Sequence, residues 1–126
     1  MSIIPPNRLL RRLTEGHLAV GTMISEIRQP AVAQALVNAG FDWAIIDNEH
    51  GVFSNETIAE LGRSCRWLGL TPIVRVPVLA YEQIAHALDG GAQGVTLSVR
   101  DRSPEPGASR AASWRDPSVG SLLAPG

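Results

Sequence analysis

At 126 residues and 44% hydrophobic, the chain has the length and apolar content of a single folded domain. Eleven basic residues against twelve acidic ones leave a formal net charge of −1, and no basic run interleaved with aromatics appears, so a nucleic-acid partner is not expected. All eleven basic residues are arginine, which excludes a Schiff-base lysine from any carbonyl chemistry this chain performs.

The opening segment carries two prolines and no continuous apolar region, and nowhere does an apolar run approach the roughly 18 residues of a membrane span. The expectation is a cytoplasmic protein with no membrane partner. The single cysteine, Cys65, cannot form an intrachain disulfide and is read as helix core.

In chain order, residues 7–16 read as a short helix with Asn7 as N-cap and Gly16 just past its end. The compact apolar run 18–25 then suits a buried strand. Pro30 suits a first helical turn, and Val32, Ala33, Leu36 and Val37 follow at helical spacing up to Gly40. The unit repeats: a strand at 43–47, a helix capped by Ser54 with Ile58, Leu61, Cys65 and Leu68 on one stripe, and a strand at 72–76. A helix at 81–88, a stop at Gly90 and Gly91, and a strand at 94–99 complete the pattern.

Strand starts near 18, 43, 72 and 94 leave room for a helix in each connection, the mark of βαβ crossovers onto a parallel sheet. The fold class is α/β. Continuous apolar strands predict coverage on both sheet faces, as in a barrel or a doubly wound sheet, and periodicity does not separate the two. From Asp101 the alternation stops, and residues 101–126 are rich in Ser, Pro and Gly. They read as a second, low-complexity region, either disordered or an out-of-frame stretch of a GC-rich gene, after an ordered region 1–100.

The densest polar cluster, Asp47, Asn48, Glu49, His50 and Gly51, follows the second strand. In parallel α/β folds, sites gather at the carboxyl ends of strands, where rigid strands hold free loops. An imidazole base flanked by carboxylates suits general base chemistry, while a solvated loop with capping acids fits the same pattern. Nothing in the spacing demands that the cluster bind a metal. Arg75 interrupts an otherwise apolar strand, where a permanent charge needs a partner: a substrate carboxylate or enolate oxygen on one reading, Asp47 or Glu49 on the other. Asp89 precedes Gly90 and Gly91, a position that ends a helix. His17 and His86 have no partner at metal-ligand spacing and read as surface or packing residues. No P-loop, zinc pair, G-x-S-x-G or G-x-G-x-x-G run appears.

Three blocks in order, Gly40-Phe-Asp-Trp-Ala-Ile-Ile-Asp-Asn-Glu-His-Gly51, Pro72-Ile-Val-Arg-Val-Pro77 and Leu88-Asp-Gly-Gly-Ala-Gln-Gly-Val95, resemble the HpcH/HpaI aldolase (citrate lyase beta-like) family. The resemblance runs from about residue 21 to 95. It implies the first half of a (β/α)8 barrel of the phosphoenolpyruvate/pyruvate type, assembled into homo-oligomers. It also implies reversible cleavage of 4-hydroxy-2-oxo acids to pyruvate and an aldehyde, with a divalent metal such as Mg, Mn or Co in place of the lysine.

By the family pattern, His50 is the catalytic base, Asp89 raises its basicity, Arg75 stabilises the pyruvate enolate and Asp47 supports the site. The family's metal ligands, a Glu and an Asp, belong to later strands, so none is assigned here. Relatives acting on CoA thioesters share the fold, but the Gly-Phe-Asp-Trp and Glu-His-Gly blocks favour small 2-oxo acids. A complete barrel takes roughly 200 residues or more, and the pattern here stops after strand four. The competing expectation is therefore a truncated, inactive fragment that persists by self-association or by pairing with a complementary half.

Overall fold

A computed structural model describes residues 6–97, with elements in the order α1 (Arg8–Thr14), β1 (Gly21–Ile24), α2 (Ala31–Asn38), β2 (Trp43–Asp47), α3 (Asn55–Trp67), β3 (Thr71–Val76), α4 (Tyr81–Asp89) and β4 (Gly94–Leu97). The expected low-complexity region from Asp101 lies outside the described residues. So do the last two residues of the strand expected at 94–99.

The termini of the elements follow local chemistry. Asn7 and Ser54 adopt extended backbone and their side-chain oxygens accept the N–H groups of Leu10 and Thr57, satisfying donors that the first helical turn leaves open. Each helix is followed by a glycine at positive φ, namely Gly16, Gly40, Gly69 and Gly91, the left-handed conformation that turns the chain toward the next strand. The first strand is shorter than the apolar run 18–25 suggests. Leu18 and Val20 are exposed, and the ladder with β2 begins only at Gly21.

All four strands are parallel in the order β1-β2-β3-β4. This order decides the architecture that periodicity left open. Right-handed crossovers that always step to the same side put every helix on one face, as in a barrel, whereas a doubly wound sheet reverses direction and covers both faces. The buried core agrees: Ala33 of α2, Ile58, Leu61 and Cys65 of α3 and Ala87 of α4 meet Ile24, Ala44, Ile46, Val74 and Val76 from alternate strand positions. On the other face Met23 is 46% exposed, and Ile45 and Ile73 are half-buried. That inner face is closed at the amino end by α1, where the Leu9 N–H donates to Thr71 Oγ1 (3.2 Å), Asn7 Nδ2 to the Gln93 carbonyl (3.3 Å) and Arg8 Nη1 to the Gly69 carbonyl (3.3 Å). No helix among the described residues is long and apolar enough to cross a membrane.

Cys65 sits fully buried on α3, and burial pushes its thiol pKa from 9.0 up to about 11. Because the folded value lies above the unfolded one, the associated stability is present below pH 9 and lost as pH rises toward 11. Native protein at pH 8 should therefore leave Cys65 unlabelled by a disulfide reagent until denaturant is added. Chemical denaturation should also show a steeper fall in stability between pH 9 and 11 than in Cys65→Ala. Prompt labelling of the native protein would contradict this placement.

Candidate active site

The parallel register sets Asp47, the last residue of β2, beside Arg75 of β3 on the inner face, away from the helices. There the strand ends in a turn held by Asp47 itself. Its buried carboxylate accepts, through Oδ1, the backbone N–H groups of Glu49 (3.0 Å) and His50 (3.2 Å). This local hydrogen-bonding habit of Asp is a common way to leave a strand. The Asn48 N–H continues the ladder to the Arg75 carbonyl (3.0 Å), so the turn stays anchored to β3.

The turn folds Glu49 back over Arg75. Glu49 Oε2 lies 2.7 Å from Arg75 Nη2, and Asp47 Oδ2 lies 3.7 Å from Arg75 Nη1. The guanidinium thus meets both carboxylates that the sequence offered as alternatives. Its side chain is 23% exposed against 4% for Asp47 and 15% for Glu49, so the charges are partly desolvated and their interaction is stronger than on an open surface. Glu49 Oε2 is buried and makes no aligned hydrogen bond, and the same oxygen stands 3.7 Å from His50 Nε2. His50 itself is 61% exposed, open to water or a ligand.

Gly51 completes the turn. A Cβ there would run into the Asp47 carbonyl oxygen and stand 3.1 Å from that of Ser25 at the end of β1, so the loop lies directly on the strand ends. A glycine immediately after the acid-histidine cluster was the available signal.

Four of the sequence-derived residues and one neighbour therefore differ in placement. Asp47, His50 and Arg75 come together with Glu49, while Asp89 is exposed at the carboxyl end of α4. That helix runs back from the carboxyl end of β3 to the amino end of β4, so within one chain Asp89 falls at the opposite end of the sheet from His50. His17 and His86 are both exposed, and neither belongs to the cluster. Among the described residues no three His, Cys, Asp or Glu side chains converge to hold a metal ion. Asp47 Oδ1 and Glu49 Oε2 are engaged by backbone N–H groups and by Arg75, and do not fit a metal cage on their own.

No protein-family model matches the chain. Individual proteins do. A 4-hydroxy-4-methyl-2-oxoglutarate aldolase of Chaetomium globosum is 34% identical over 92 residues, covering 72% of this chain and 34% of that protein. A hydroxypyruvate/pyruvate aldolase of Roseobacter denitrificans is 36% identical over 93 residues, covering 74% and 36% respectively. The crystal structure of an HpcH/HpaI aldolase from Desulfitobacterium hafniense superposes with a TM-score of 0.66 at 30% identity, over 69% of this chain and 34% of that one. The chain thus spans about a third of the length of the relatives it matches. The one-sided parallel sheet agrees with these likenesses: over about 70% of its length the chain is similar to HpcH/HpaI aldolases in sequence and in fold.

Proposed function

We propose that this chain contributes the proton-transfer and enolate-binding part of a pyruvate aldolase site, in which a 4-hydroxy-2-oxo acid is cleaved reversibly to pyruvate and an aldehyde. The observation that carries the reading is the Arg75 guanidinium, partly desolvated at the carboxyl ends of β2 and β3 beside an exposed imidazole. Breaking the C3–C4 bond leaves negative charge on the 2-oxo group, and a preorganised cation stabilises that charge where it develops. Arg75 supplies it and orients the small acid. His50, through a water molecule, takes the proton from the C4 hydroxyl as the bond breaks. Asp47 holds the backbone of the turn and hence the position of His50.

Class II aldolases of this kind generally depend on a divalent metal. In this reading its ligands come from strands other than those described, and no step assigned to these residues runs through it. Asp89 would reach His50 only from a neighbouring subunit of a homo-oligomer, which makes an active monomer evidence against its role.

A second reading, a catalytically inactive fragment that persists by self-association or by pairing with a complementary half, draws on the half-open inner face and on the absence of a metal-binding group among the described residues. Pyruvate release from a 4-hydroxy-2-oxo acid, assayed with and without Mn²⁺ and with light scattering for mass, separates the two. Metal-dependent turnover that drops by about 100-fold or more in His50→Ala supports the aldolase reading. A folded sample without turnover supports the fragment.

A further inference from the structure

The three charges in this cluster are not held alike. Asp47 is tied down, because its Oδ1 accepts two backbone N–H groups and the side chain is 4% exposed. Glu49 is held only through the guanidinium: its buried Oε2 has no aligned hydrogen bond and rests 2.7 Å from Arg75 Nη2. A carboxylate buried without aligned donors is poorly compensated for its lost hydration. Among the described residues, two carboxylates against one guanidinium also leave this cluster acidic, a poor receptor for an anion unless one of them moves. The less constrained side chain already has a second partner within reach, since His50 Nε2 stands 3.7 Å from the same oxygen.

Resting on the aldolase reading above, we infer that Glu49 is an internal placeholder for the substrate's anionic oxygen at Arg75. Before an anion binds, the Glu49 carboxylate occupies Nη2. An incoming 2-oxo acid carboxylate or enolate oxygen takes that position, and Glu49 swings toward His50. The displaced carboxylate then faces the imidazole that receives the proton, so that filling the Arg75 site and supporting a charged His50 become one movement. Glu49 acts through Arg75 and His50 and is a positioning residue. It also sets affinity, because every anion that binds must first compete with it.

The test is pyruvate binding to the full-length chain by calorimetry, with the Arg75 Nε–H and the ¹³C-labelled Glu49 carboxyl followed by NMR. Glu49→Gln keeps the shape and removes the competing charge. It should bind pyruvate about three- to tenfold more tightly than the unmodified protein, whereas Arg75→Met should not bind it. In the unmodified protein both the Arg75 and the Glu49 signals should move on titration.

Pyruvate that binds through Arg75 with equal or weaker affinity in Glu49→Gln overturns the inference and leaves the aldolase reading standing. An Arg75 signal that moves while Glu49 stays still does the same, and needs no variant. No pyruvate binding by folded, unmodified protein removes the Arg75 anion site itself, and both ideas with it.

Discussion

Under the proposed aldolase reading, Arg75→Met is expected to lower the rate of pyruvate release by about 100- to 1000-fold, the range seen when a single preorganised donor to a developing oxyanion is removed. The same substitution should cost about 3 kcal/mol of stability, because it strips the cation from Asp47 and Glu49, which are 4% and 15% exposed. Arg75→Lys separates the two effects. An ammonium keeps a positive charge between the carboxylates but cannot present two N–H groups in a fixed plane. Stability should therefore return toward that of the unmodified protein while turnover stays at least about tenfold down. Equal activity in the lysine variant would mean that Arg75 serves the fold and not the enolate.

Gly51→Ala should be nearly as damaging to activity, through geometry alone. The added methyl group would overlap the Asp47 carbonyl and press toward that of Ser25, and backbone atoms at two strand ends cannot yield as a flexible side chain can. The turn must shift, and the shift passes directly to His50, one residue earlier. A misplacement of about 1 Å in a catalytic group costs about 100-fold in rate. Thermal unfolding should move by only a few degrees, since the loop lies at the rim of the sheet and not in the core around Leu61 and Val74. An alanine variant with unchanged turnover would show that the turn can be rebuilt without moving His50, and that its tight seating on the strands has no part in catalysis.

Much of this protein is legible from residue order. Caps at Asn7 and Ser54, the apolar stripe through Ile58, Leu61 and Cys65, the glycines that close each helix and the apolar runs of β2 and β3 are all local. Helical spacing and capping act within about four residues, so the sequence displays them directly. The same holds for the position of the Asp47–Gly51 cluster just after a strand, because the end of an apolar run is itself visible. The aldolase relationship was equally accessible, since it rests on three ordered blocks.

Other features depended on contacts between residues far apart in the chain. Strand order is one: the parallel sequence β1-β2-β3-β4 and the single helical face distinguish a barrel-like sheet from a doubly wound one, yet both would display the same alternation of strand and helix. The partner of Arg75 is another. The sequence required an anion near a charge in an apolar strand, but only the Asp47–Arg75 register and the fold-back of the turn bring both carboxylates to the guanidinium. The separation of Asp89 from His50 follows from the direction of α4, which carries the chain back across the sheet. The sequence alone determined the elements, most of their edges and the chemical types present, because these arise from short-range backbone and side-chain preferences. The tertiary structure decided which charges meet and which face stays open, because register and crossover direction bring together residues that no local pattern relates.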